Sequence, residues 1–123
     1  MASDDAAAAR AEVMKQLDAP GKPDVVLVSH SYGGIVISNA VKGLSVADRK
    51  AAGRNNGFNV VYIHAELDKA IVLPVQQVMA SAFPAGSYVA TLNTSHSPFL
   101  SQPKNTADKI HEAVVHFVKK KTA

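Results

Sequence analysis

Three short stretches of this 123-residue chain hold residue types that can carry out nucleophilic chemistry together. Residues 25–34 read V-V-L-V-S-H-S-Y-G-G, and put Ser31 in a glycine-rich turn. Residues 64–69 read H-A-E-L-D-K and offer Asp68, with Glu66 as an alternative carboxylate. Residues 94–100 read T-S-H-S-P-F-L and offer His96. A serine hydroxyl is a weak nucleophile that needs a base within hydrogen-bond reach. An imidazole can take its proton, and a carboxylate can fix the imidazole tautomer and stabilise the cation that forms. Ser31, His96 and Asp68 are therefore the candidate catalytic set.

Such a serine has to stand clear of the backbone that carries it. A sharp strand-to-helix turn does this, and it needs small residues two before and two after the nucleophile. Around Ser31 these are Ser29 and Gly33, so the pattern is S-x-S-x-G, with serine where glycine is usual. Gly34 is expected to let the following helix pack closely, and His30 to pack against the turn. The backbone N–H of Tyr32 is placed to donate to an oxyanion.

The remaining histidines suggest less. His64 falls inside a strand pattern and reads as a satisfied core residue. His111 and His116 are five apart on a helix, whereas zinc ligands sharing a helical face stand four apart. With no cysteine in the chain, thiolate ligands, disulfides and a cysteine nucleophile are excluded. No metal site and no cofactor is expected.

The elements that must position these groups follow from periodicity. Residues 3–18 read as a helix, with Ser3 as cap, Asp4 and Asp5 in the first turn, and Ala6, Ala9, Val13 and Leu17 on one face. Residues 24–30 form an aliphatic run typical of a parallel strand covered on both sides. Gly33-Gly34 opens a second helix through about Leu44. Ser45 to Asp48 has capping-box form and starts a short helix ending at Gly53. Phe58–Ala65 and Ser87–Leu92 are further strands. A helix from Leu73-Pro74 to about Ala82 lies between them. The last helix follows Pro103, with Ala107, Ile110, Val114 and Phe117 inward.

Alternating helices and strands predict an α/β fold: a three-layer α/β/α arrangement with a short, mostly parallel sheet, as one domain over 1–123. Parallel strands end on one side of a sheet, so the loops holding Ser31, Asp68 and His96 are expected to converge. Three strands leave open edges, which points to a homo-oligomer.

At 47% hydrophobic and 19% charged, the composition is that of a globular protein. The longest aliphatic run, Val25–Val28, is far too short to cross a bilayer, and no membrane partner is expected. The acidic opening, M-A-S-D-D, lacks a secretory pattern, so the cytoplasm is the expected compartment. Net charge is +3, with Lys119, Lys120 and Lys121 grouped at the chain end. Lysines there complement a helix dipole. Without aromatic interleaving or a basic stripe, nucleic acid is not an expected partner.

Taken with V-Y-I-H-A-E-L-D-K-A-I-V-L-P-V-Q-Q-V-M-A and T-S-H-S-P-F-L-S-Q-P, the serine block resembles the α/β-hydrolase superfamily. The likeness is nearest the branch of methylesterases, hydroxynitrile lyases and related esterase-like proteins. It implies Ser31 as nucleophile, Asp68 as acid and His96 as base. Family members are longer, with strands ahead of the first helix and a cap between elbow helix and acid. This chain therefore resembles a shortened member lacking both. The resemblance implies a serine hydrolase acting on a small ester, thioester or lactone. Two alternatives share the scaffold: a lyase or cyclase using the Ser31–His96 pair, and a non-catalytic module kept for binding or assembly.

Overall fold

Helix α1 (Ala2–Leu17) turns Ala6, Val13 and Leu17 inward, three of the four positions its periodicity selects. In this computed structural model the described residues are 2–122, with side chains over 3–120. The helix already includes Ala2, so Ser3 lies inside its first turn rather than capping it. The chain folds as two units, residues 1–59 and residues 60–123.

In the first unit, α2 (Tyr32–Ala40) packs along α1. It stops short of the expected Leu44 because Arg10 Nη1 donates to the carbonyls of Ala40 and Lys42, both at 2.7 Å. Those are carbonyls that a helix end leaves without intrahelical partners. Gly43 then turns the chain with φ 76°. Helix α3 (Val46–Ala51) begins as its sequence predicts: the Ser45 hydroxyl accepts from the Asp48 N–H at 3.1 Å and donates to the Asp48 carboxylate at 2.7 Å.

A polar knot closes this unit. Arg49 is buried and donates to the Asn56 backbone and side-chain oxygens, both at 2.8 Å, and to Asp18 at 3.1 Å. Asn56 in turn donates to the Leu17 carbonyl at 2.9 Å. Such a group is tolerated in the interior because its charge and donors find partners.

The predicted strand over 24–30 is not one: no β-ladder among the described residues includes it. Burial along it alternates, which a doubly covered strand would not show. Val25 and Leu27 pack against the core of Val13, Leu17 and Leu44, while Val26 and Val28 are 57% and 66% exposed. The segment is extended and one-sided, and its apolar run reflects composition rather than two covered faces.

The second unit is built on a parallel pair, β1 (Val61–Ala65) and β2 (Tyr88–Leu92), in register from Val61 with Tyr88 to Ala65 with Leu92. Helix α4 (Leu73–Ser81) connects them, with Pro74 in its first turn. Phe58 does not join β1. It bridges to Ser45, donating its N–H to the Leu44 carbonyl at 2.9 Å. Tyr62 and His64 share one face of the ladder, where Tyr62 meets Phe83. Tyr88 stands on the opposite face, against His116 of α6 (Pro103–Thr122). The inward line of α6 is shifted from the expected one: Ala113 is its deepest residue, and Ala107 is exposed. A short helix that periodicity does not predict, α5 (Pro98–Ser101), precedes it. Among the described residues no helix is long and apolar enough to cross a membrane.

The secondary structure is thus a mixed α/β set of six helices and one small parallel sheet among the described residues.

Candidate functional site

The predicted site residues divide between the two units: Ser31 and Tyr32 belong to the first, Asp68 and His96 to the second. Within the second, the structure brings Asp68 and His96 together. The β1–β2 ladder continues past its strands, with the Glu66 N–H donating to Leu92 and the Leu67 N–H to Thr94. This parallel run carries the two following loops side by side. Asp68 sits at the end of one and His96 at the end of the other. His96 Nδ1 lies 2.7 Å from Asp68 Oδ2. Glu66 is exposed, so the geometry selects Asp68 as the carboxylate partner of His96.

Asp68 is buried, and its second oxygen is held by the backbone. Oδ1 accepts from the N–H groups of Ala70 at 2.8 Å and Ile71 at 2.9 Å, an aspartate turn that leads into α4. Burial alone would raise its pKa. The His96 hydrogen bond, the Ile71 and Ala70 N–H groups and the His96 charge together outweigh burial and hold the carboxyl below the usual aspartate range. An ionised carboxylate only accepts, so the proton between the pair sits on Nδ1. With Nδ1 carrying that proton, Nε2 is the ring atom that can act as a base.

The same electrostatics reach Tyr62. Burial and the negative Asp68 both raise its phenol above the ordinary value, so it stays a neutral hydroxyl. His64 is buried, as expected, but it is not a satisfied core residue: among the described residues its Nε2 has no hydrogen-bond partner. Thr94 Oγ1, two residues before His96, is likewise buried without one. Neither orphan is visible in the sequence, since both depend on what the fold packs around them.

In the first unit, Ser31 is the residue before α2 and has φ 56° and ψ −126°, a left-handed conformation that L-residues rarely adopt. Such strain persists only where surrounding structure imposes it, and it clusters at functional positions. The turn is closed by the Gly33 N–H donating to the His30 carbonyl at 3.0 Å and the Gly34 N–H to the Ser31 carbonyl at 2.9 Å. Tyr32 begins the helix, and its hydroxyl donates to Asp5 at 2.9 Å. That bond raises the phenol pKa.

Two expectations about this turn are corrected. A methyl group at Gly34 would lie 3.8 Å from Ser29 Oγ, and one at Gly33 would lie 3.5 Å from Ser29 Cβ. Both are ordinary contacts, so close packing does not require either glycine. His30 is exposed rather than packed against the turn.

A shallow groove between α1 and α2, lined by Ser3, Ala6, Ala7, Arg10 and Asn39, offers no second centre. Its one charged group, Arg10, is already held by the α2 carbonyls. Comparison of the chain with models of known protein families, with curated proteins and with solved structures gives no match.

Proposed function

We propose that the protein is a serine hydrolase that cleaves a small ester, thioester or lactone, with Ser31, His96 and Asp68 as a triad. The observation that carries the reading is the 2.7 Å contact between a buried, ionised Asp68 and His96, which fixes the imidazole tautomer a general base requires. The strained backbone of Ser31 supports it from the other unit. We include in this reading a three-layer α/β/α arrangement of the α/β-hydrolase kind.

In the proposed reaction Ser31 Oγ attacks the acyl carbon while His96 Nε2 takes the hydroxyl proton. Negative charge on the former carbonyl oxygen is met by the Tyr32 N–H. The carbon–oxygen or carbon–sulfur bond of the leaving group breaks, and the imidazolium returns its proton to that group. Water then attacks the acyl-serine with His96 again as base, and the acid departs. Asp68 keeps its charge throughout and stabilises the imidazolium. A single backbone donor makes a lean oxyanion site, since each such donor is worth about 2.7–4 kcal/mol in the transition state.

A fluorophosphonate probe tests the reading. Covalent mass gain located by tryptic mapping at Ser31, absent in Ser31→Ala and slowed in His96→Ala, is the expected result. An unmodified Ser31 after prolonged exposure would overturn it.

A further inference from the structure

Residues 25–29, which lead into the Ser31 turn, are extended, and their backbone is unpaired. No β-ladder and no backbone hydrogen bond among the described residues includes any of them. The two faces of the stretch differ. Val25 and Leu27 pack on the core of Val13, Leu17 and Leu44, which anchors the stretch to the first unit. Val26 and Val28 are exposed. Successive side chains of an extended chain point to opposite sides, so these two valines share one outer face. Exposed valines alone name no occupant. A run of unpaired N–H and C=O groups does, because the partner that satisfies it in regular repeat is another extended chain.

We infer that residues 25–29 pair with the same residues of a second copy of this chain, antiparallel about a two-fold axis at Leu27. The run D-V-V-L-V-S-H over 24–30 is self-complementary in that arrangement. Val26 falls opposite the partner's Val28, Val28 opposite the partner's Val26, and Asp24 opposite the partner's His30. The two outer faces thus join into one patch of four valines, flanked at each end by a carboxylate beside an imidazole. A parallel pair in register would instead set aspartate against aspartate. The neighbouring antiparallel registers that keep the valine faces together set Val28 against Asp24 or Val26 against His30.

The pairing is isologous: each copy offers the same segment and receives the same segment, so the contact closes at two chains. It involves the first unit alone and is independent of the hydrolase reading. One strand pair with four valines buries less than the roughly 1,200 Å² of a stable complex, so the dimer is reversible and dissociates on dilution.

Sedimentation velocity over roughly 10–500 µM tests the association. The expected result is a mass that rises from the 12.9 kDa of one chain toward twice that value and no further. Val26→Lys/Val28→Lys gathers four like charges on the joined face and should stay monomeric throughout. Val75→Lys/Val78→Lys adds the same charge at exposed positions of α4 and should associate as the native chain does. All four valines are exposed, so folding is retained, and far-ultraviolet circular dichroism verifies it. Pairing is then read by cross-linking, which the absence of native cysteine makes unambiguous. Val26→Cys and isotopically labelled Val28→Cys are mixed in equal amounts and oxidised. Directly opposite residues reach disulfide distance and diagonal ones do not. The mixed disulfide should therefore exceed either homodisulfide by about fivefold or more, where random pairing gives about twofold. A native chain that stays monomeric, as it would if the edge took only an extended peptide of other sequence, overturns the inference. So does association that Val26→Lys/Val28→Lys retains or that Val75→Lys/Val78→Lys loses, growth beyond two chains, or cross-linking at the random ratio.

Discussion

The side-chain amide of Gln76 lies against the backbone of Ala65 like a neighbouring strand. Its Oε1 accepts the Ala65 N–H at 2.9 Å, and its Nε2 donates to the Ala65 carbonyl at 2.9 Å and to the Ile71 carbonyl at 2.7 Å. Gln76 is the buried residue of α4, while Val75, Val78 and Met79 of the same helix are exposed. The helix is docked by an amide rather than by its aliphatic side chains. It closes the β1 edge three residues before Asp68, so part of the edge that the sequence leaves open for a partner is already taken.

Replacing Gln76 with leucine should therefore destabilise the fold despite the gain in hydrophobicity. Backbone donors and acceptors left buried without partners cost about 1–3 kcal/mol each. A loss of roughly 2–3 kcal/mol in urea unfolding is expected for Gln76→Leu. Gln77→Ala, next door and exposed, should stay within about 0.5 kcal/mol of the native chain. Equal effects at the two positions would contradict the amide clamp.

Asp68 links stability to pH with a definite sign. Its folded-state pKa is lowered, so the folded chain holds its carboxylate more tightly ionised than the unfolded chain does. The contribution is complete above the ordinary aspartate pKa, about 3.9. It is lost as pH falls below that value and through the folded-state pKa. The stability difference between the native chain and Asp68→Asn should be constant near neutrality and shrink below about pH 4. Thermal melts at half-unit pH steps measure it. On the hydrolase reading proposed above, the same substitution frees His96 Nδ1 to take the wrong tautomer, and turnover should drop by about 10⁴.

Three glycines carry opposite expectations. A methyl group at Gly57 would sit 2.7 Å from the Ser45 carbonyl oxygen and 2.8 Å from the Val46 Cα, both rigid backbone at the start of α3. Gly57→Ala should then cost about 1–3 kcal/mol as overpacking. Gly33 and Gly34 meet only ordinary contacts and lie within α2. Alanine at Gly34 should raise stability by about 0.5–1 kcal/mol through helix propensity. Chemical denaturation of the two single variants gives the comparison, and loss of stability at both would contradict it.

Where the sequence carries a local signal, it reads clearly. The Ser45–Asp48 capping box, Pro74 at the head of α4 and the extended segments near 61–65 and 88–92 all follow from side chains acting within a few positions. Asp68 and His96 were legible because each follows a strand, and consecutive parallel strands deliver their loops to one end. The 24–30 segment misled because four aliphatic residues in a row look identical whether one face or two is covered. Gln76 and Arg49 were hidden for a related reason. A polar residue is read as exposed until the fold supplies its partners, and those of Gln76 and Arg49 lie 5 to 31 residues away in sequence. The serine turn was legible as a motif, but whether its glycines are sterically required was not, since that depends on how closely neighbouring side chains approach them.

Ser31 itself offers a test that separates strain from chemistry. At φ 56° and ψ −126° a β-carbon is disfavoured, with a cost on the order of 1–3 kcal/mol. Glycine removes that cost and gives back about 0.5–1 kcal/mol in the entropy of the unfolded chain. Alanine removes the hydroxyl and keeps the strain. Ser31→Gly should accordingly be more stable than Ser31→Ala by about 1 kcal/mol, read as a shift in denaturation midpoint with an unchanged slope. On the hydrolase reading both variants lose the proposed nucleophile, so both should be unreactive toward the fluorophosphonate. If Ser31→Gly is no more stable than Ser31→Ala, the turn is relaxed in solution. The backbone of Ser31 would then no longer distinguish it from any serine at the head of a helix.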